Sequence, residues 1–324
     1  MSNLNKLKGK MVIVTGSSGY IGSALVDELV KHSCKVTRVS REELKPLANT
    51  KTIKADIRAA NSWIEIVSQA DIIYHLAGNT SVFEAAKNPA ESLNSTLLPL
   101  NHLFRAVQEE KCKPRVVFAS TATVYGLTPQ RTVAETFEPA PITVYDLHKL
   151  FAERQLAFAT QLGILDGVSL RLSNVYGPST SESSSPDRGI LNRVTAMALQ
   201  GKNLAIYGDG NYLRDYVYIS DVVNAFLIAG NSQHLGGQSF NIASGIGTTL
   251  KNVFTLLSEQ VNLVSNQQIA IDYIPWPENV SPIELREFIA NIDKFSTATG
   301  WKPLINLEQG ISRLLLEYKK IHLR

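Results

Sequence analysis

The segment Thr15-Gly16-Ser17-Ser18-Gly19-Tyr20-Ile21-Gly22 constrains the chain more than any other. It is entered from the apolar run Met11-Val12-Ile13-Val14 and leads into an amphipathic stretch. Glycines three apart let a tight turn swing from strand to helix and bring backbone N–H groups and the helix N-terminus against a phosphate. Glycines also close ordinary strand-to-helix turns, so the motif takes its meaning from context. Here a strand precedes it, a helix follows, and a second β-branched run ends near position 40. Ser18, Tyr20 and Ile21 are counted with Gly16, Gly19 and Gly22 as dinucleotide-binding positions.

The first half of the chain continues in a βαβ rhythm. Strands are predicted at Met11 to Thr15, Lys35 to Ser40, Thr52 to Ala55, Ile72 to Leu76, Val116 to Ser120 and Val168 to Leu172. Helices are predicted at Ile21 to Lys31, Trp63 to Gln69, Ala90 to Glu110 and Tyr145 to Leu162. Continuous apolar runs such as Val116-Val117-Phe118 suit strands covered on both faces, and so a parallel, doubly wound α/β sheet. Ligands of such sheets sit at the carboxyl ends of the strands. After Gly177-Pro178 the rhythm breaks into the Ser-rich stretch before Arg188, and a smaller lobe is expected beyond it.

Composition narrows the partners. Lys plus Arg exceeds Asp plus Glu by 3 in 324 residues, too weak a field for nucleic acid or an anionic membrane, so any bound anion must be held locally. Two cysteines support no disulfide framework, and the histidines lack ligand-spaced companions, so no metal is assigned. No export signal or membrane span is read, and a reducing cytoplasm is the expected location.

An Asp or Glu ending the second strand would take the ribose hydroxyls of NAD. This strand ends Ser40-Arg41 instead, and a guanidinium there suits the 2′-phosphate of NADP, while Glu42 and Glu43 just beyond keep NAD open. Asp56-Ile57 is placed at the adenine, or Asp56 caps the next helix. Leu76-Ala77-Gly78 is placed along the adenosine and ribose.

Tyr145 and Lys149, four apart on a predicted helix, share one face. An ammonium beside a phenol favours the phenolate, and the tyrosine can then take a hydroxyl proton as hydride leaves the same carbon. Hydroxyls cluster upstream in Ala119-Ser120-Thr121-Ala122-Thr123, where a strand runs out. Thr121 is chosen to bond the reacting oxygen, with Ser120 as competitor.

Together with Arg171-Leu172-Ser173-Asn174-Val175-Tyr176-Gly177-Pro178, Gly208 to Tyr218 and Gly300-Trp301-Lys302-Pro303, these motifs resemble the extended short-chain dehydrogenases/reductases. Within them they resemble the NAD-dependent epimerase/dehydratase group acting on nucleotide sugars. The resemblance implies a Rossmann domain over 1–175 plus about 212–245, and a smaller C-terminal α/β substrate lobe over about 176–211 and 246–324. It implies NAD or NADP as cofactor and a nucleoside diphosphate sugar as substrate. It gives Thr121, Tyr145 and Lys149 the roles of catalytic hydroxyl, base and ribose-binding lysine, with Ala119 at the cofactor. It places Asn174 at the sugar nucleotide and Arg214, with Arg286, at the diphosphate. Alternatively, Arg214 pairs with Asp215, and Arg286 with Glu284 or Glu287. Arg188 is expected to meet phosphate from a lid or to lie on a simple crossing. Asn79 is expected to offer a polar group to the sugar or to belong to a helix cap. A homodimer through Leu93 to Val107 and Leu147 to Phe158 is also implied.

Dehydratases of the group carry acids directly after the catalytic Thr. Ala122 and Thr123 stand there and disfavour dehydration, while Ala-Thr-Val-Tyr-Gly resembles the 4-epimerases. Epimerisation at C4 is therefore the expected reaction. An NADPH-dependent keto-sugar reductase is the alternative that Arg41 favours. A dinucleotide sensor without catalysis would need none of Thr121, Tyr145 and Lys149. His148, one residue before the lysine, is read as structural or solvent-facing.

Overall fold

The structure is a computed structural model describing residues 7–68, 70–178, 189–265, 268–278 and 280–322. In chain order the elements are β1 (Met11–Thr15), α1 (Tyr20–Lys31), β2 (Lys35–Ser40), β3 (Thr50–Lys54), α2 (Ala60–Val67), β4 (Ile72–His75), α3 (Val82–Lys87), α4 (Pro89–Thr96), α5 (Leu98–Glu109) and β5 (Arg115–Thr121). After a 3₁₀ turn at Ala122–Tyr125 come β6 (Thr132–Val133), α6 (Val144–Gln161), β7 (Asp166–Leu172) and β8 (Asn174–Tyr176). The remainder holds α7 (Ile190–Leu199), β9 (Leu204–Tyr207), β10 (Leu213–Tyr218), α8 (Ile219–Asn231), β11 (Ser239–Ile242), β12 (Gly247–Thr249), α9 (Leu250–Ser265) and β13 (Ile271–Ile274). A second 3₁₀ turn at Pro282–Leu285 then leads to β14 (Ile289–Ala290), α10 (Asp293–Thr299) and α11 (Leu307–His322).

Seven strands form one all-parallel sheet in the order β11-β7-β5-β4-β1-β2-β3. Side chains alternate across a strand, so each apolar run feeds two cores. Val12 and Val14 join one hydrophobic cluster with α1 and α8, while Ile13 between them joins another with α2, α5 and α6. Val117 and Ala119 divide from Val116 and Phe118 in the same way. Helices on both faces thus follow from the sequence of the strands, as expected for a doubly wound fold.

Smaller sheets flank the main one: β12-β10-β8, β13-β9 and β14-β6. Trp301 of the Gly300-Trp301-Lys302-Pro303 motif is buried and donates its indole N–H to the Asp221 carbonyl at 3.1 Å, while the Asp221 carboxylate accepts from Ile305 N–H at 3.0 Å. That motif anchors the C-terminal segment onto α8. Among the described residues no helix is long and apolar enough to cross a membrane.

The helix predicted over Ala90 to Glu110 is two helices, α4 and α5, meeting at Leu97. Pro99 lacks an N–H and is tolerated only in a first helical turn, so a new helix starts there.

Candidate active site

The carboxyl ends of β1, β4 and β5 bring the site residues to one edge of the sheet. Gly16 sits at φ 68°, and a Cβ built there would lie 2.7 Å from the Ala77 nitrogen. A Cβ on Gly22 would lie 2.1 Å from the Gly16 carbonyl oxygen. Only glycine fits either position. Gly19 caps α1 without a side-chain hydrogen bond, which leaves the first turn of the helix open to an anion. This cradle fits a dinucleotide pyrophosphate. Tyr20 donates its hydroxyl to the Gly177 carbonyl at 2.8 Å, joining the loop to the end of β8.

At the end of β2, Ser40 is buried, its hydroxyl accepts from Glu42 N–H at 3.2 Å, and Arg41 is exposed. Asp56 accepts Arg58 N–H at 2.9 Å in a local turn and takes its guanidinium side-on, at 3.0 Å from Nε and 2.6 Å from Nη2. The α2 cap falls instead on Ala59. The hydrogen bond from Arg58 holds the Asp56 carboxyl below its ordinary value, and the Arg41 charge contributes in the same direction. Ile57 is buried in the core, and its carbonyl accepts the Trp63 indole N–H at 2.7 Å.

His75, at the end of β4, is fully enclosed. Its Nδ1 lies 2.8 Å from Thr15 Oγ1 and its ring stacks on Phe118. Burial pushes the imidazole down to about 3, so it is a neutral part of the floor. Leu76, Ala77 and Gly78 continue from it, and a Cβ on Gly78 would lie 3.8 Å from Lys149 Nζ. Asn79 Oδ1 accepts Ser81 N–H at 2.8 Å, and Ser81 rather than Asn79 caps α3.

Tyr145 and Lys149 rise from the first turns of α6, which Thr143 caps by accepting Asp146 N–H at 3.1 Å. Lys149 is buried and donates to the Ala119 carbonyl at 2.8 Å. Its Nζ lies 4.7 Å from the Phe118 ring centroid and 5.9 Å from that of Tyr145. Burial pushes the ammonium down to about 8, against a smaller opposing effect of Glu153. Burial raises the Tyr145 phenol above its ordinary value and the Asp146 charge adds to the rise, while a hydrogen bond with Thr121 works the other way. Lys149 and Tyr145 thus share one face of α6, and Thr121 stands beside them at the end of β5.

Two acids here were not singled out from sequence. Asp146 has no exposed surface, and its Oδ1 accepts the Thr123 hydroxyl. Glu153, also buried, accepts Arg171 through both oxygens, at 2.7 Å from Nη2 to Oε2 and 3.0 Å from Nε, and binds Ser120. Arg171 continues to the Tyr125 hydroxyl at 2.8 Å, and Tyr125 to Asn241 at 2.9 Å. Ser120 is thus tied into a network below the site, which leaves Thr121 as the hydroxyl beside the phenol. The spacing of Lys149 and Glu153 on one helical face was the available signal. His148 is buried with Nδ1 2.9 Å from Ser92 Oγ, a structural tie between α6 and α4.

Arg214 does not pair with Asp215. It donates to the carbonyls of Leu213 (3.1 Å), Glu284 (2.7 Å) and Arg286. Asp215 is enclosed and collects Ser244, Gly245 and Ala290 N–H groups. Arg286 forms no surface pair with Glu284 or Glu287. It is buried, its nearest acid is Asp146 Oδ2 at 3.8 Å, and its three guanidinium nitrogens have no hydrogen-bond partner. Buried donors of that kind mark a place for an anion. Asn174, exposed on β8, donates to the Asp215 carbonyl at 2.9 Å. Arg188 lies outside the described residues.

The model of the NAD dependent epimerase/dehydratase family matches residues 12–243. The chain is similar to a UDP-N-acetyl-alpha-D-glucosaminuronate decarboxylase of Bacillus cytotoxicus, 28% identical over 96% of this chain and 98% of that protein. It is also similar to the solved UDP-glucose 4-epimerase of Thermotoga maritima with UDP-glucose, 29% identical, TM-score 0.85, covering 97% of this chain and all of the other. A third match is MoeE5 in complex with UDP-glucuronic acid and NAD, 26% identical, TM-score 0.83, covering 97% of this chain and 100% of the other.

Proposed function

Because the chain belongs to the NAD-dependent epimerase/dehydratase family of nucleotide-sugar-modifying enzymes, we propose that it is a nucleoside diphosphate sugar 4-epimerase. The observation that carries the reading is the meeting of Thr121, Tyr145 and Lys149 above the glycine cradle, with Ala122 and Thr123 where an acid would serve elimination. The nearby carboxyl of Asp146 is fully enclosed and does not present itself to a substrate carbon.

When bound, the oxidised dinucleotide supplies a hydride acceptor and a positive charge. Tyr145 carries the proton. Its partly buried phenol, held above its ordinary value, rests protonated, gives up the proton when positive charge is added beside it, and returns it afterwards. Thr121 orients the reacting oxygen, and the Lys149 ammonium, lodged against the Ala119 carbonyl, favours the phenolate. Gly16, Gly19 and Gly22 with the start of α1 hold the pyrophosphate of the cofactor. Arg286 takes the substrate diphosphate, and Arg214 braces the loop that carries it through the Glu284 and Arg286 carbonyls. Asn174 lies toward the sugar. The family and the NAD bound by MoeE5 support NAD as the carrier. The exposed Arg41 is the residue a 2′-phosphate would meet, and it favours the second reading, an NADPH-dependent keto-sugar reductase.

The deciding experiment is release of the dinucleotide from the purified protein and its identification by mass spectrometry, followed by assay of UDP-hexoses for interconversion. Retained oxidised NAD and redox-neutral turnover are expected. Stoichiometric NADPH consumption would establish the reductase instead. Tyr145→Phe should lower turnover by about 100-fold or more with dinucleotide affinity nearly intact.

We further propose a homodimer through α6. Leu147, Phe151, Phe158 and Leu162 form an exposed apolar stripe at helical spacing, with Leu93 of α4 exposed as well. Leu100, Leu103 and Val107 of α5 are spent inside the monomer.

A further inference from the structure

We propose that Tyr20 is a positioning residue that makes the dinucleotide and the nucleotide sugar bind cooperatively, by tying the first turn of α1 to Gly177 at the end of β8. The coupling rests on the reading of the glycine loop as the cofactor cradle and of Asn174, Arg214 and Arg286 as the substrate side, and adds how one side senses the other.

Tyr20 opens α1 directly after Gly19, so its backbone belongs to the turn that a pyrophosphate would meet. Its side chain crosses to β8 and donates to the Gly177 carbonyl, 157 residues away, at 2.8 Å. Asn192 of α7, which is buried, holds Gly177 from a second side. Its Oδ1 accepts Gly177 N–H at 3.0 Å, and its Nδ2 donates to the Gly177 carbonyl at 2.9 Å. A carbonyl oxygen has two lone pairs, and Tyr20 and Asn192 take one each. Gly177 has φ 132°, and a Cβ there would lie 2.7 Å from Ile219 Cγ2 and 3.0 Å from Tyr218 Cε2. Only glycine lets the phenol, the amide and the end of β10 close on one peptide.

The residues behind Gly177 are those of the substrate side. β8 carries Asn174 and pairs in parallel with β10, Asn174 beside Tyr216 and Tyr176 beside Tyr218. β10 carries Arg214, whose guanidinium braces the Glu284 and Arg286 carbonyls. A fixed start of α1 therefore fixes, through one phenol, the end of the strand pair on which Asn174 and Arg214 stand. A pyrophosphate on the N–H groups of the first turn orders that turn, and the hydroxyl bond carries the ordering to Gly177. The ligand that binds second finds the strand pair already ordered and meets a smaller entropic cost, which is positive cooperativity without a change of shape. Linkage makes the effect reciprocal: NAD tightens the nucleotide by the same factor as the nucleotide tightens NAD. Loss of the Tyr20 hydroxyl leaves the Gly177 carbonyl satisfied by Asn192, so the bond can be removed without orphaning a buried group.

The test titrates UDP into the dinucleotide-stripped protein by calorimetry, with and without saturating NAD, and follows hydrogen exchange of residues 172–178 by mass spectrometry. In the unaltered protein NAD tightens UDP binding about fivefold and slows exchange in 172–178 before any UDP is added. Tyr20→Phe keeps the ring and loses the hydroxyl. The ratio of its two UDP affinities falls to about 1, and NAD no longer protects 172–178. A phenol with a purely structural role would lower Tm on replacement and leave the ratio where it was. A ratio near 1 in the unaltered protein, or an unchanged ratio in Tyr20→Phe, overturns the coupling. If the unaltered protein binds NAD but no UDP, it is the nucleotide-sugar reading that fails, and protection of 172–178 by NAD still decides whether Tyr20 transmits the ordering.

Discussion

Replacing Lys149 by Met should make the dinucleotide-stripped protein more stable at neutral pH and less stable in alkali. Burial pushes the ammonium from its ordinary 10.5 down to about 8, so below pH 8 the folded chain carries a charge that the unfolded chain holds more easily. At 1.36 kcal/mol for each factor of ten, the cost is about 3 kcal/mol. Met fills a similar volume without the charge. It loses the bond to the Ala119 carbonyl, roughly 1 kcal/mol, and the contact with Phe118, about 0.5–1 kcal/mol. The net gain at neutral pH is then roughly 1–2 kcal/mol. Between about 8 and 10.5 the folded protein binds fewer protons at this site than the unfolded one, so the stability of the unaltered protein rises through that window. The variant lacks the rise, and the two curves cross within it. Urea unfolding of both proteins at a series of pH values measures the crossing. A stability difference that stays constant from neutral pH into alkali would refute a buried, depressed Lys149.

Gly22→Ala forces a Cβ onto the Gly16 carbonyl, so stability should fall by roughly 1–3 kcal/mol and the rise in Tm on adding NAD should vanish. A full NAD-induced Tm rise in that variant would show the cradle to be looser than it looks. Glu153→Gln leaves Arg171 as a buried cation without a counter-charge and should cost about 3–5 kcal/mol in urea unfolding, where a surface pair would cost under about 1. Phe158→Lys on the exposed face of α6 should halve the mass seen by light scattering and leave the far-ultraviolet spectrum unchanged; an unaltered mass would place any interface elsewhere.

What was legible in the sequence was local. The glycine loop and the Tyr145/Lys149 pair are set by spacing within a single turn and a single helix. Strands β1, β4 and β5 show as apolar runs because both of their faces are covered, while β2 and β7 show through valines and leucines interspersed with the buried polar residues Thr37, Arg38, Ser169 and Arg171. β11 hides because Asn241 interrupts it. That side chain is enclosed and satisfied by Tyr125 and the Val133 and Asn291 carbonyls, partners a reader of one segment does not see. β6 and β14, two residues each, are too short to show a period. Asp146, Thr123 and Arg286 come from a helix, a turn and a distant loop, and only the fold brings them within reach of one another. Arg41 shows the opposite limit, since a single charge past a strand end does not set the choice of dinucleotide.

β11 pairs with β7 in register from Ser239 to Ser169, so the edge of the main sheet is supplied by chain made about 70 residues later. During synthesis, a nascent chain that has passed β7 exposes an unpaired parallel edge until residue 242 has emerged. At roughly 5–20 residues per second that interval lasts several seconds. The open edge is the surface on which this protein would be expected to misassociate or to engage a chaperone. Truncation just before β11 should therefore yield an aggregating product rather than a smaller dinucleotide-binding unit.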